Sequence, residues 1–233
     1  MKKLLPSGMR LTEGKNSNLL NIFLIYPITM KFLKRLLIVL FFLPALANGQ
    51  GIPDNEHDYL ITLSTDYGEI KMILYDETPM HKMNFVKLAK AGVYDHVTFH
   101  RVIDNFMIQT GDPTTRNQPP DYDPSIIQET IPAEIRPKFK HIYGAVGAAR
   151  RSDNPAMASN GSQFYIIENP KGVKHLNNKY TVFGRVVSGF RVVHKIAGVP
   201  TDKSDTPKKN VRMTVKVDTV KRSEIDKFYN YDY

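Results

Sequence analysis

The chain has 233 residues, of which 42% are hydrophobic and 24% are charged, and its formal net charge is +9. This balance is typical of a globular protein and excludes a wholly disordered chain. The chain contains no cysteine, which excludes disulfide frameworks, thiolate metal sites, iron–sulfur clusters and thiol catalysis.

The basic excess is concentrated near the N-terminus. Residues 1–47 contain seven Lys or Arg and one Glu, which leaves 25 basic and 22 acidic residues in the rest of the chain. A nucleic-acid interface needs a clear surplus of basic charge. The near balance after residue 47 therefore argues against a nucleic-acid partner.

Residues 30–47 have the pattern of an export signal. A basic start at Met30 is followed by the apolar run Leu36–Leu46 and by a small-x-small cleavage motif that ends at Ala47. This run is shorter than the roughly 20 apolar residues that span a bilayer. We expect cleavage after Ala47 and export, to the periplasm in preference to full secretion, without stable membrane association afterwards.

Two alternatives stay open for this N-terminal region. If the signal is not cleaved, it becomes a membrane anchor, to which Leu19–Tyr26 adds a second apolar run. If translation starts at Met30, residues 1–29 are an upstream extension. The sequence does not decide between Met1 and Met30 as the start.

The folded domain is predicted to span residues 59–222, after a polar linker at 48–58. Its first element is a β-hairpin, because Tyr59–Thr65 and Glu69–Tyr75 alternate apolar and polar residues around a short turn.

Two helices are predicted in this domain. Thr78 is suited to cap the first helix, Pro79 fits its first position, and Gly92 suits its end. A second short helix fits Gly189–Ala197, which is bounded by Gly198 and Pro200.

The remaining elements are predominantly strands, which we expect at 98–103, 106–110, 142–148, 162–168, 181–187 and 211–220. A long proline-rich surface loop occupies 111–125. The tail at 223–233 is either a frayed terminus or a cover over strand ends. Seven or eight short strands with two helices predict a mainly β fold, either a closed barrel or a sandwich.

The first unusual pattern lies in the segment 99–112. If 98–103 is a strand, Phe99, Arg101 and Ile103 share one face, which places an arginine beside apolar residues. A solvated arginine on an exposed sheet face is the alternative interpretation.

The second pattern lies in the segment 160–166. There Gln163 and Tyr165 lie on one strand face, and Phe164 and Ile166 lie on the other. An ordinary core strand after a turn is the alternative interpretation.

Together with Tyr180–Val186, these segments resemble the signatures of the cyclophilin family of peptidyl-prolyl cis–trans isomerases, and exported bacterial members in particular. The first reads Phe-His-Arg-Val-Ile-Asp-Asn-Phe-Met-Ile-Gln-Thr-Gly-Asp and the second Asn-Gly-Ser-Gln-Phe-Tyr-Ile. Their order and spacing agree with the family over about 59–220. The resemblance implies an eight-stranded antiparallel closed β-barrel capped by two α-helices, with no metal and no cofactor.

The resemblance also implies the functional residues. It makes Arg101, Phe106 and Gln109 catalytic. The remaining substrate-binding positions that it implies are Met107, Ala149, Arg150, Gln163, Tyr165, His175, Leu176 and Tyr180. The backbone of Ala149 and Arg150 is expected to pair with substrate.

Three of these positions depart from the pattern of many family members. Tyr165 replaces a phenylalanine, which adds a hydroxyl that needs a partner. His175 replaces a tryptophan that binds cyclosporin, so weak cyclosporin binding is expected. Tyr180 replaces a histidine but is similar to what bacterial members carry.

The predicted function is therefore isomerisation of Xaa–Pro bonds in proline-containing polypeptides, to assist the folding of exported proteins, by a monomeric enzyme. A non-catalytic, proline-peptide-binding chaperone of the same fold is the alternative. The seven histidines are scattered along the sequence, which is a further reason to expect no metal.

Overall fold

The computed structural model describes residues 55–233, so the predicted export signal and the segment before it lie outside the described residues. This part of the chain forms an eight-stranded antiparallel sheet and a separate two-stranded sheet. The strands in chain order are β1 (His57–Thr65), β2 (Gly68–Leu74), β3 (Arg101–Ile103), β4 (Met107–Thr110), β5 (Thr130–Ile131), β6 (Ala145–Ala148), β7 (Ser159–Asn160), β8 (Phe164–Ile167), β9 (Val182–Ser188) and β10 (Met213–Lys221).

The large sheet has the strand order β10-β1-β2-β9-β6-β8-β4-β3, and β5 pairs with β7 in the small one. Backbone hydrogen bonds join the segments that lead into the two edge strands. Phe99 N–H donates to Val211 O at 2.9 Å, and Met213 N–H donates to Val97 O at 3.0 Å. These bonds bring the ends of the sheet together, and the predicted eight-stranded, mainly β fold is confirmed.

The predicted first hairpin is also confirmed, with Thr65 of β1 opposite Gly68 of β2. Both strands send branched and sulfur-containing side chains into the interior, where Leu63, Ile70 and Met72 are fully buried. The alternation seen in the sequence thus sets which residues enter the core.

Within the described residues, three α-helices accompany the sheet: α1 (Pro79–Lys90), α2 (Phe190–Ala197) and α3 (Arg222–Tyr229). The first two match the prediction. The third, α3, lies in the tail, where no helix was predicted. Ile225 of α3 is fully buried against Leu60 and Ile73 of the sheet, so the tail covers strand ends and is not frayed. Within residues 55–233, every helix is too short or too polar to cross a membrane.

The start of α1 is held by a carboxylate from a distant loop. Thr78 precedes the helix as predicted, but its hydroxyl donates to a preceding carbonyl instead of capping. Glu134 accepts from Met80 N–H at 3.1 Å and from His81 N–H at 2.9 Å. His81 Nδ1 also donates to Glu134 at 2.7 Å, and its Nε2 accepts from Ser159 Oγ at 2.9 Å. Burial lowers the pKa of His81, which favours this neutral ring.

A cluster of ion pairs ties α1 and α3 to the start of β1. Lys82 is buried, and its Nζ donates to Asp58 at 2.5 Å and to Asp76 at 2.6 Å. Arg222 donates to the other oxygen of Asp76 at 2.7 Å. Because each buried charge has an opposite partner, the cluster avoids the cost of an unpaired buried ion.

Two hydrophobic clusters lie on opposite sides of β8. The main core includes the rings of Phe85, Tyr94 and Phe164, whose centroids lie 4.8 to 5.8 Å apart. The second cluster, which we call the groove core, consists of Met107, Ala145, Tyr165, Ile167, Val173 and Val182. The face prediction for 163–166 is confirmed in that Phe164 and Ile166 pack in the main core and Tyr165 in the groove core.

Candidate active site

Strand pairing places four residues side by side across the sheet. Arg101 of β3 lies opposite Gln109 of β4, Gln109 lies opposite Tyr165 of β8, and Tyr165 lies opposite Gly147 of β6. Directly opposed residues of neighbouring strands face the same side of a sheet. We call this set the cross-strand row.

One open groove lies along this row. It is lined by nine of the eleven predicted site residues, namely Arg101, Phe106, Met107, Gln109, Ala149, Arg150, Tyr165, Leu176 and Tyr180. The side chain of Arg101 is 44% exposed, whereas Met107 and Tyr165 are buried. The groove therefore has a charged rim above an apolar floor.

The other two predicted residues lie next to the groove. Gln163 accepts a hydrogen bond from Gln109 Nε2 at 3.1 Å and donates to Asp112 at 3.0 Å, so it orients the Gln109 amide. The His175 ring stacks at 6.1 Å from that of Phe106, in an adjoining depression.

The prediction that Phe99 shares a strand face with Arg101 and Ile103 is wrong. β3 begins at Arg101, so the strand alternation does not extend back to Phe99. Phe99 packs in the main core with Val102, whereas Ile103 packs against the groove core. Arg101 therefore projects from the groove side without Phe99 beside it.

Arg101 is held from one side by Asp205. The Arg101 Nε lies 3.5 Å from an Asp205 carboxylate oxygen, and both side chains are more than two-fifths exposed. Asp205 is itself fixed by its backbone carbonyl, which accepts from Val102 N–H at 2.8 Å. An exposed pair of this kind contributes little stability but restricts where the guanidinium points.

The hydroxyl of Tyr165 has a buried partner. It donates to Nε2 of His141 at 2.8 Å, while His141 Nδ1 lies 3.1 Å from the Asn177 amide oxygen. Burial raises the pKa of Tyr165 well above its ordinary value and lowers the pKa of His141. Both groups are therefore neutral, and the chain of bonds fixes the floor of the groove.

Gly147 makes room for the Tyr165 ring. A Cβ added at Gly147 would lie 2.3 Å from a ring carbon of Tyr165, which is closer than non-bonded atoms approach. The cross-strand row therefore needs a residue without a side chain at this position.

The backbone beside the groove is paired at Ala149 and open at Arg150. Ala149 N–H donates to Gln163 O at 3.0 Å, and its carbonyl accepts from Asn160 N–H at 2.7 Å. Within residues 55–233 the backbone N–H and C=O of Arg150 have no such partner. The backbone of Ala149 is thus already paired within the protein, whereas that of Arg150 is open, and the pairing of these residues with substrate stays a prediction. The Arg150 guanidinium lies 4.6 Å from the centre of the Tyr180 ring.

Sequence reasoning missed the residues that support the groove. Asp205, His141 and Asp112 each contact a predicted site residue from a different segment, and Asn177 in turn contacts His141. A hydroxyl at position 165 signalled that some partner was needed, but the sequence did not show which residue supplies it.

Comparison with known proteins gives consistent results. Residues 60–217 match the family model described as cyclophilin-type peptidyl-prolyl cis–trans isomerase. A peptidyl-prolyl cis–trans isomerase-like 1 of Aspergillus fumigatus is 39% identical over 155 residues, which is 66% of this chain and 91% of that protein. A Streptococcus pyogenes protein named for both phosphatase and peptidyl-prolyl cis–trans isomerase is 34% identical over 65% of this chain.

This chain spans 37% of the length of the Streptococcus protein. It likewise spans 27% of a 38% identical peptidyl-prolyl cis–trans isomerase-like 2 of Rhizopus delemar, over 64% of this chain. Among solved structures, a Cryptosporidium parvum cyclophilin-type isomerase obtained in the presence of the dipeptide Ala-Pro is similar, with a TM-score of 0.58 and 30% identity. The match covers 70% of this chain and 98% of that one.

Proposed function

Because the chain belongs to the cyclophilin-type peptidyl-prolyl cis–trans isomerase family, we propose that it catalyses rotation about Xaa–Pro bonds of polypeptides bound in the groove. The observation that carries this proposal is the cross-strand row, whose residues Arg101, Gln109 and Tyr165 line one groove. An apolar floor suits a proline ring, and the arginine suits the nitrogen of its peptide bond.

The chemistry requires no nucleophile and no general base. Amide resonance gives rotation a barrier of about 18–20 kcal/mol. In the twisted state the nitrogen lone pair is localised, so a donor directed at that nitrogen stabilises the twisted state more than the planar one. Arg101 is such a donor, because a guanidinium presents several N–H donors in a planar fork.

A single hydrogen bond is not sufficient for a fast isomerase. A charge-assisted bond contributes about 1.5–3 kcal/mol, which corresponds to roughly 10- to 150-fold in rate. The remainder comes from donors that are already positioned in a partly dry site. The hydrogen bond that Gln109 donates to Gln163 and the ion pair of Arg101 with Asp205 supply this positioning.

The other groove residues hold the substrate on both sides of the rotating bond. Phe106, Met107, Leu176 and Tyr165 enclose the proline ring. Gln109 and the open backbone of Arg150 bind the flanking peptide. With one side held and the ring enclosed, the acyl group turns while the proline stays fixed.

The decisive experiment compares Arg101→Ala with Arg101→Lys in an assay of Xaa–Pro isomerisation in a short peptide. We expect the full chain to accelerate isomerisation, Arg101→Ala to lose about a hundredfold, and Arg101→Lys to recover only part of this, because lysine lacks the planar fork of donors. Arg191→Ala on the exposed side of α2 is the matched control and should retain full activity.

A folded chain that binds the peptide without accelerating isomerisation would contradict this function. That result would favour the alternative of a proline-peptide-binding chaperone. The peptide affinity of Arg101→Ala distinguishes the isomerase from the chaperone. If Arg101 is catalytic, the variant should bind the peptide with nearly unchanged affinity but isomerise it much more slowly.

We further propose that the substrates are exported proteins. The support is the export signal pattern at 30–47 and the near neutral charge of the chain that follows it. N-terminal sequencing of the chain recovered outside the cytoplasm should begin at Asn48. Recovery of an uncleaved, membrane-bound chain would contradict this and would support the anchor alternative.

A further inference from the structure

A second cluster of ligating side chains lies outside the groove. Asp104 in the turn between β3 and β4, Glu168 directly after β8, and His194 on α2 each offer a ligand atom, and these atoms lie within 4.8 Å of one another. Three separate elements therefore bring one imidazole and two carboxylates to a common point. None of the three side chains lines the groove.

Glu168 is the buried member of this cluster. Its side chain is 3% exposed, and its Oε1 lies 2.8 Å from Nδ1 of His194. The other oxygen, Oε2, is buried, and no donor among residues 55–233 lies within hydrogen-bond distance of it. A buried carboxylate oxygen without a partner is costly, and this carboxylate is turned toward the exposed side chains of His194 and Asp104.

We propose that Asp104, Glu168 and His194 bind a divalent metal ion of the Zn²⁺ class. Zinc takes imidazole nitrogen and carboxylate oxygen at about 2.0–2.2 Å, and an ion among these three groups would supply the unpartnered oxygen with a positive charge. The hard ions Mg²⁺ and Ca²⁺ prefer oxygen ligands throughout, so the imidazole selects against them. His194 and Asp104 are exposed, which lets them adjust around the ion and leaves a coordination position for water.

Hydrogen bonds to backbone carbonyls connect the cluster to the wall of the groove. Glu168 N–H donates to the carbonyl of Phe106 at 3.0 Å, and the Asn169 side chain donates to the carbonyl of Asn105 at 2.7 Å. The turn that carries Asp104 is thus already bonded to the end of β8. The bond from His194 to Glu168 already connects α2 to this point, and a metal ion would hold all three elements together and stabilise the folded chain.

The test is titration of Zn²⁺ into the full chain without an affinity tag, followed by isothermal calorimetry and by thermal unfolding. We expect one site with a rise in Tm on binding. His194→Ala and Asp104→Asn should each lower the Zn²⁺ affinity at least about tenfold and remove most of the rise in Tm. Both side chains are exposed, so these variants should fold.

His175→Ala is the matched control, since it removes an exposed histidine outside the cluster and should retain the Zn²⁺ affinity of the unchanged chain. Unchanged affinity in both cluster variants, or no heat of binding in the unchanged chain, would overturn the proposal. Equal affinity for Mg²⁺ would overturn the choice of metal class. These readouts do not depend on isomerase activity, so failure here is distinct from failure of the proposed function.

Discussion

The two faces of β8 are held in place by different kinds of interaction. On the main-core face, Phe164 packs edge-on against the rings of Phe85 and Tyr94. On the groove face, Tyr165 packs in the groove core and also donates a hydrogen bond to His141. One strand thus separates a cluster held mainly by apolar packing from one held by packing and directional polar bonds.

Because of this difference, one face of β8 contributes mainly to the stability of the fold and the other to the positioning of the groove. Apolar packing is non-directional, so the main core contributes mostly to the free energy of unfolding. A buried hydrogen bond to Tyr165 contributes less stability, but it fixes the ring in one orientation under the groove. Variants on the two faces should therefore change stability and activity in different proportions.

The largest effect is expected from Phe164→Ala in the main core. Removing a fully buried ring should lower the free energy of unfolding by about 3–5 kcal/mol, as measured by denaturant titration. Activity per folded molecule should change little. The groove variant Leu176→Ala is the contrast, since it should cost roughly 1 kcal/mol while reducing kcat/KM. Equal losses of activity in the two variants would contradict the separation.

A smaller effect on stability is expected from Gly147→Ala. The added methyl group would meet the Tyr165 ring at 2.3 Å, so overpacking should cost about 1–3 kcal/mol and displace the floor of the groove. We expect kcat/KM to fall together with the denaturation midpoint. Gly198→Ala is the control, because its added Cβ would have 3.6 Å to the nearest atom. A normal kcat/KM in Gly147→Ala would show that the floor tolerates displacement.

Tyr165→Phe tests the polar bond alone. The ring stays, but Nε2 of His141 loses its donor in a buried position, which should cost about 1–3 kcal/mol. Tyr180→Phe is the matched control, because the Tyr180 hydroxyl has no hydrogen-bond partner among residues 55–233, and its removal should change stability by less than about 0.5 kcal/mol. If the two variants are equally stable, the bond to His141 contributes nothing measurable.

The smallest effect on stability is expected from a change of pH. Burial lowers the pKa values of His81, His100 and His141 in the folded chain. Below the ordinary histidine pKa of about 6.5, the unfolded chain therefore binds protons that the folded chain does not. Stability from these groups is present above that pH and is lost as the pH falls toward the folded pKa values.

Urea midpoints at about pH 7.5 and about pH 5.5 should show this loss of stability. His194 acts in the opposite direction, because its bond to Glu168 raises its pKa, but it is fully exposed and solvent screens its charge. His194→Ala should therefore retain the fall in midpoint. A midpoint that rises on acidification would contradict the neutral state of the buried rings.

The sequence predicted those features that depend on neighbouring residues. The hairpin at Gly68, the start of α1 at Pro79 and the two faces of β8 follow from local alternation and turn chemistry. The groove residues were predicted through family motifs, each of which lies within one short segment.

The features that were missed depend on residues far apart in the chain. Glu134 caps α1 across more than fifty positions, and Asp205 reaches Arg101 from a distant loop. The helix α3 is stabilised by burying Ile225 and not by a strong local pattern. The proposed metal ligands likewise come from three elements, so the spacing of histidines along the sequence could not indicate them.

The pairing of β1 with β10 sets the order in which the fold can be completed. His57 lies opposite Lys221, and a ribosome adding about 5–20 residues per second needs roughly 8 to 30 seconds to make the intervening chain. During that interval one edge of β1 lacks its partner, and Asp76 lacks its ion pair with Arg222. A growing chain of this topology therefore stays incompletely folded, with one edge of β1 unpaired, until β10 has been made.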